Sequence, residues 1–144
     1  MNKVAEAAIG QRLSEAEQRI LKTLLYYDIF TFPLTASELQ DSLNDQTSQA
    51  QRQQALTNLV RQGLIQEQGG YYYVGQEAQK VTDRQTDTNR GNKYWRSARW
   101  FSWLIGRFPY VKGVMISGSL SKGIMKKDGD IDYFIVTSPG RLWV

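Results

Sequence analysis

The chain has 144 residues, a formal net charge of +4, and neither histidine nor cysteine. That excludes thiol and imidazole catalysis, disulfides and the usual zinc sites, so any metal must sit on oxygen ligands, and the length fits one domain or two small ones. No apolar run approaches the roughly 20 residues of a membrane span, and Met1 to Gly10 lacks the long apolar core of a secretory signal, which predicts a soluble cytoplasmic protein with no membrane partner.

The first 75 residues read as three helices and a hairpin. Ser14, with Glu17 three residues on, is a capping box, and Ile20, Leu21, Leu24 and Leu25 form an apolar stripe ending near Asp28-Ile29-Phe30, closed by Phe32-Pro33-Leu34. Thr35-Ala36-Ser37-Glu38 is a second capping box, opening a short helix through Leu39 and Leu43 with Asn44-Asp45 as its exit. A third helix is predicted from about Ser48 to Gln62, with Leu56, Leu59 and Val60 on one face and Gly63 ending it. From Leu64 to Val74 the chain reads as extended, turned by Gly69-Gly70.

Three short helices followed by a glycine-turned hairpin resemble a winged helix-turn-helix. Leu59-Val60-Arg61-Gln62-Gly63-Leu64-Ile65 is similar to that family's join from recognition helix to wing. The resemblance implies DNA binding, with Gln51, Gln54, Asn58 and Arg61 facing the major groove. Charge points the other way: Met1 to Gly75 holds six basic and eight acidic residues. DNA affinity rests largely on phosphate neutralisation, so a scaffold or protein-contact module fits this stretch about as well as a DNA reader.

The positive charge lies further on, with eight basic and three acidic residues from Gln76 to Lys112. Val81 to Asn92 is polar and reads as a linker or a loosely formed helix start. Tyr94 to Phe108 is predicted helical, with Tyr94, Ala98, Phe101 and Ile105 on one face and Arg96, Arg99, Trp100, Trp103 and Arg107 on the other. The second set has two readings: it stacks bases or attracts an anionic partner, or it packs as core or interface.

After Pro109 a strand is expected from Val111 to Ile116. It enters Ser117-Gly118-Ser119-Leu120-Ser121-Lys122-Gly123, and after a six-residue insert the chain reads Asp130-Ile131-Asp132-Tyr133-Phe134-Ile135-Val136. Backbone N–H groups and a hydroxyl in a Gly-Ser turn suit phosphate oxygens, and two carboxylates at alternate strand positions project to one side, where they can share a hard cation. Taken singly, Gly118-Ser119 and the Lys127-Asp128-Gly129 turn signal are ordinary structural punctuation.

Together these residues resemble the DNA polymerase β-like nucleotidyltransferase superfamily, whose signature is Gly-Ser, a short helix, then Asp-x-Asp on the next strand. Gly118 to Gly123 is similar to the Gly-Ser-x-Ala-Arg-Gly form of the minimal and antibiotic nucleotidyltransferases, with Ser121 for Ala and Lys122 for Arg. The resemblance implies Mg²⁺ and a nucleoside triphosphate, from which a nucleoside monophosphate passes to a hydroxyl or phosphate acceptor. It assigns Gly118 and Ser119 to the triphosphate, Lys122 to phosphate charge, and Asp130 and Asp132 to the metal and catalysis.

The family's further carboxylate comes from a later strand, and no acidic residue follows Asp132. The expectation is therefore either the front piece of a longer enzyme or a short protein that keeps binding without turnover. An apolar edge at Tyr133 to Val136 invites self-association. The overall reading is α+β: a winged helix-turn-helix over residues 1–80, then a linker helix and the opening part of an α/β nucleotidyltransferase core over 81–144. The alternative is a non-catalytic winged-helix DNA-binding regulator or antitoxin-like protein-interaction module.

Overall fold

The structure, a computed structural model, describes residues 13–43 and 47–141. Among these residues it is α+β, with four α-helices and two small antiparallel sheets. The chain divides into two units, Met1–Thr82 and Asp83–Val144. No helix among the described residues is long and apolar enough to cross a membrane.

The first unit opens with α1 (Glu15–Asp28). Its capping box forms as expected: the Ser14 amide donates to Glu17 Oε2 at 2.8 Å and the Glu17 amide to Ser14 Oγ at 3.3 Å. Ile20, Leu21 and Leu24 are buried along one stripe. At its end the Phe32 amide reaches back to the Tyr27 carbonyl and the Thr31 amide to the Asp28 carbonyl, the pattern of a Schellman cap. This places Thr31, a β-branched residue, at φ 52°.

Strand β1 (Leu34–Thr35) follows and leads into α2 (Ala36–Leu43). The sequence reading treats Phe32-Pro33-Leu34 only as a closure, but here Leu34 pairs with Tyr72. Two residues carry no periodicity of their own, so only the partner strand reveals them. Thr35 and Glu38 cap α2 reciprocally, the Thr35 amide donating to Glu38 Oε2 at 2.9 Å and the Glu38 amide to Thr35 Oγ1 at 3.2 Å. The exit expected at Asn44-Asp45 lies outside the described residues.

Helix α3 (Gln49–Arg61) is capped by Ser48 and Gln51 and buries Ala55, Leu56 and Leu59. Val60, expected on this face, is exposed; it falls about 100° beyond Leu59 and stands at the rim, while Ala55 faces inward. Gly63, at φ 69°, ends the helix in another Schellman cap that turns Leu64 into the core. Strands β2 (Gln66–Gln68) and β3 (Tyr71–Tyr73) then form the hairpin, completing a sheet of order β1-β3-β2. Gly69 and Gly70 both take positive φ, as the tight two-residue turn requires. The core gathers Ile20, Leu21, Leu24, Leu34, Leu39, Ala55, Leu56, Leu59, Leu64, Ile65 and Val74 from all three helices and the ends of the hairpin.

Helix α4 runs from Gln79 to Ile105 without interruption. The stretch read as a linker or a loosely formed helix start, Val81 to Asn92, is helical throughout, and it is held by partners far away in sequence. Within the first unit, Lys80 Nζ donates to Asp28 Oδ1 at 2.8 Å. In the second, Arg90 Nη1 bonds both Asp87 Oδ1 at 2.8 Å and the Met125 carbonyl at 3.0 Å, and the Met125 amide reaches the Asp87 carbonyl. Of the stripe predicted to be apolar and packed, only Ala98 is fully buried; Tyr94 and Phe101 are each 46% exposed.

Strands β4 (Val111–Ile116) and β5 (Tyr133–Thr137) pair antiparallel, with a bulge between Val111 and Gly113. The second core is small: Ala98, Leu120 and Met125, flanked by Ile116 and Ile131. Tyr133 ties the ribbon to α4, its hydroxyl donating to the Ala98 carbonyl at 3.0 Å. Burial pushes the Tyr133 phenol above its ordinary value, opposed in part by a hydrogen bond with Ser102.

Candidate functional site

The Gly-Ser turn and the Asp-x-Asp meet at one end of the β4–β5 ribbon. Ile116 pairs with Tyr133, and one residue further the Ser117 amide donates to the Asp132 carbonyl at 2.8 Å. The next residue, Gly118, takes φ 64°, and a Cβ built there would run into Asp132 Oδ2, with Asp132 Cγ at 3.0 Å. The left-handed backbone favours glycine here, and any side chain would also displace the Asp132 carboxylate from its present place. An antiparallel pair joined by a short excursion necessarily returns the first strand's exit to the second strand's entry, which is why residues 14 positions apart in sequence come into contact.

The excursion is a 3₁₀ turn, Leu120–Lys122, rather than a full helix. Leu120 is its buried anchor. Ser121 Oγ donates to the Gly118 carbonyl at 2.7 Å, and Gly123, at φ 73°, closes the turn with its amide on the Leu120 carbonyl. Gly91 on α4 allows this segment to approach, since a Cβ there would strike the Gly123 carbonyl oxygen and lie 2.8 Å from its carbon. Among the described residues, the Gly118 and Ser119 amides donate to no backbone carbonyl, whereas those of Lys122, Gly123 and Ile124 are used inside the turn.

Gly118, Lys122, Asp130 and Asp132 are exposed, and Ser119 is half-buried. Asp130 and Asp132 lie in the extended lead into β5, not within the paired strand, which begins at Tyr133. Asp132 reaches the Gly-Ser turn directly, and Asp130 sits two residues upstream on the same lead. The donors are oxygens only, the type Mg²⁺ prefers, and Mg²⁺ is commonly held by one or two carboxylates with the rest of its shell from phosphates and water. Among the described residues no three acidic side chains form a metal-sized group. Asp130 and Asp132 are the two carboxylate donors that would be available to such an ion here.

The proposed base-reading set on α3 is arranged differently from the expectation. Asn58 Nδ2 donates to Glu17 Oε1 at 3.0 Å, so that amide is tied to the side chain that completes the α1 capping box. Burial alone would raise the Glu17 carboxyl, but the Ser14 backbone, the Asn58 amide and the Ser14 hydroxyl outweigh it and hold it below its ordinary 4.5. Gln51, Gln54 and Arg61 are exposed. Glu15, Glu17, Arg19, Gln51, Gln54 and Asn58 line an open concavity of about 740 Å³, in which Arg19 is paired with Glu15.

The Arg- and Trp-rich side of α4, for which the sequence left base stacking or an anionic partner and packing both open, is exposed. Lys93, Arg96, Trp100, Trp103 and Arg107 follow each other at three- and four-residue spacing, all exposed, on the side of α4 opposite the buried Ala98. Arg107 stacks on Trp103, with its guanidinium carbon 4.0 Å from the ring centroid. Comparison with protein-family models, curated proteins and solved structures finds no match to the chain.

Proposed function

We propose that the chain is a nucleotidyltransferase-like protein that binds a nucleoside triphosphate with Mg²⁺, its reaction class being attack of an acceptor hydroxyl or phosphate on the α-phosphorus, which breaks the bond to the β-phosphate and releases pyrophosphate. The observation that carries this reading is the seating of the Asp132 carboxylate against Gly118, one residue past the end of the β4–β5 ladder. It joins a phosphate-binding type of turn to a hard-cation ligand. Gly118 and Ser119 present amides to phosphate oxygens, Lys122 adds a mobile positive charge, and Asp130 and Asp132 are the metal-holding carboxylates. When bound, Mg²⁺ would neutralise charge on the phosphates and orient the group under attack.

The first unit is proposed as a winged helix that makes protein contacts. Its element order, helix–strand–helix–helix–strand–strand, supports the winged-helix reading. The engagement of Asn58 with Glu17 and the acidic balance of the unit favour a protein surface over duplex DNA.

The test is a thermal-shift titration of the full chain with Mg²⁺ and each nucleoside triphosphate in turn, beside Asp132→Asn. The expected result is a metal-dependent rise in melting temperature for at least one triphosphate, lost in the variant. No rise in either protein, or an equal rise in both, overturns the assignment.

A further inference from the structure

Helix α4 carries a second surface whose chemistry owes nothing to the nucleotide site. Between Asp87 and Asp128 the chain has nine lysines and arginines and no acidic residue, and the second unit as a whole holds eleven basic against five acidic side chains. Within that stretch, Lys93, Arg96, Trp100, Trp103 and Arg107 form one stripe roughly 20 Å long at 1.5 Å of rise per residue. Trp100 is 55% and Trp103 54% exposed. Indole rings left this far in solvent are unusual, because each forgoes a large apolar burial.

We propose that this stripe binds single-stranded nucleic acid. Basic groups flank the two neighbouring rings on both sides of the stripe, so phosphates can meet Lys93, Arg96 and Arg107 while bases stack on Trp100 and Trp103. Duplex bases are already stacked on each other and cannot use the indoles. A second copy of the chain would set the same cations face to face with no carboxylate between them, an arrangement that repels. An acidic peptide would satisfy the charges and leave the rings unused. The concavity of the first unit is lined by no aromatic residue and so offers no comparable surface.

The experiment is anisotropy of labelled 20-residue oligo-dT and oligo-U with the full chain, against a duplex of equal length and against heparin as charge alone. The expected result is tighter binding of one or both single strands than of duplex or heparin, with quenched tryptophan emission. From three basic contacts, log affinity against log salt should fall with a slope of about −2. Trp100→Ala and Trp103→Ala should each weaken binding roughly tenfold or more, and Arg96→Glu should flatten the salt slope. Since both rings are largely exposed, unchanged far-UV circular dichroism checks that the variants fold. Asp132→Asn should bind as wild type, which separates this surface from the nucleotide site. No single-strand binding at low salt overturns the proposal, as does equal affinity for heparin, tighter binding of duplex, or indifference to both tryptophan changes. Light scattering in which the tryptophan variants alter only self-association would assign the stripe to a second copy and overturn it as well.

Discussion

The two units solve the problem of smallness in opposite ways. The first closes eleven buried residues into one core, caps three helices with reciprocal side-chain bonds, and carries seven basic against nine acidic residues. Among the described residues, the second buries only Ala98, Leu120 and Met125 as a cluster, carries a strong positive excess, and leaves Trp100, Trp103, Phe108 and Phe134 more than half exposed. Stability and binding potential are thus separated along the chain. A closed core has little apolar surface left to offer, whereas a ribbon on a long helix exposes the area that a partner can cover.

The largest effect is expected in the first core. Leu59→Ala removes a side chain with no exposure at the meeting point of α1 and α3 and should destabilise the unit by about 2–5 kcal/mol. All four tryptophans lie beyond Thr82, so their emission reports the second unit while far-UV circular dichroism follows both. An early loss of ellipticity with unchanged tryptophan emission would sharpen the contrast. A single transition seen by both probes would show that the units unfold as one.

A smaller effect concerns pH. Because the folded state holds the Glu17 carboxyl below its ordinary 4.5, its contribution is present above that value and is lost as pH falls through it. Glu17→Ala should cost about 1–3 kcal/mol at neutral pH, since it strands the Ser14 and Asn58 donors. It should also remove much of the first unit's acid sensitivity between about pH 5 and 3. Chemical denaturation at pH 7 and pH 3.5 measures both. An unchanged acid slope in the variant would mean that other carboxylates set it.

The smallest expected change is a gain. Thr31 occupies a left-handed cap position that glycine adopts without strain, and its side chain is exposed. Thr31→Gly should stabilise the first unit by about 1 kcal/mol, read as a small rise in melting temperature. A loss would show that the Thr31 hydroxyl, bonded to the Phe30 carbonyl at 2.7 Å, outweighs the strain.

Local chemistry was legible wherever a signal is completed within a few residues. The capping boxes at Ser14 and Thr35, the stop at Gly63, the Gly69-Gly70 turn and the span of β4 all depend on short-range bonds, and each could be read from residue type and spacing. Legibility failed where a residue's state depends on a distant partner. Leu34 is a strand only because Tyr72 lies beside it, Asn58 is engaged only because Glu17 reaches it, and the polar stretch from Val81 to Asn92 is helical where Arg90 and Gly91 meet the turn near Gly123. At the candidate site the sequence supplied the residue types and an order that suggested a turn and a strand. The contact of Asp132 with Gly118 arose from antiparallel pairing, because register is a property of two strands and not of either one. Likewise the spacing of Lys93, Arg96, Trp100, Trp103 and Arg107 set one helix face, but whether that face is covered depended on what else packs there, and burial is decided only by the neighbours.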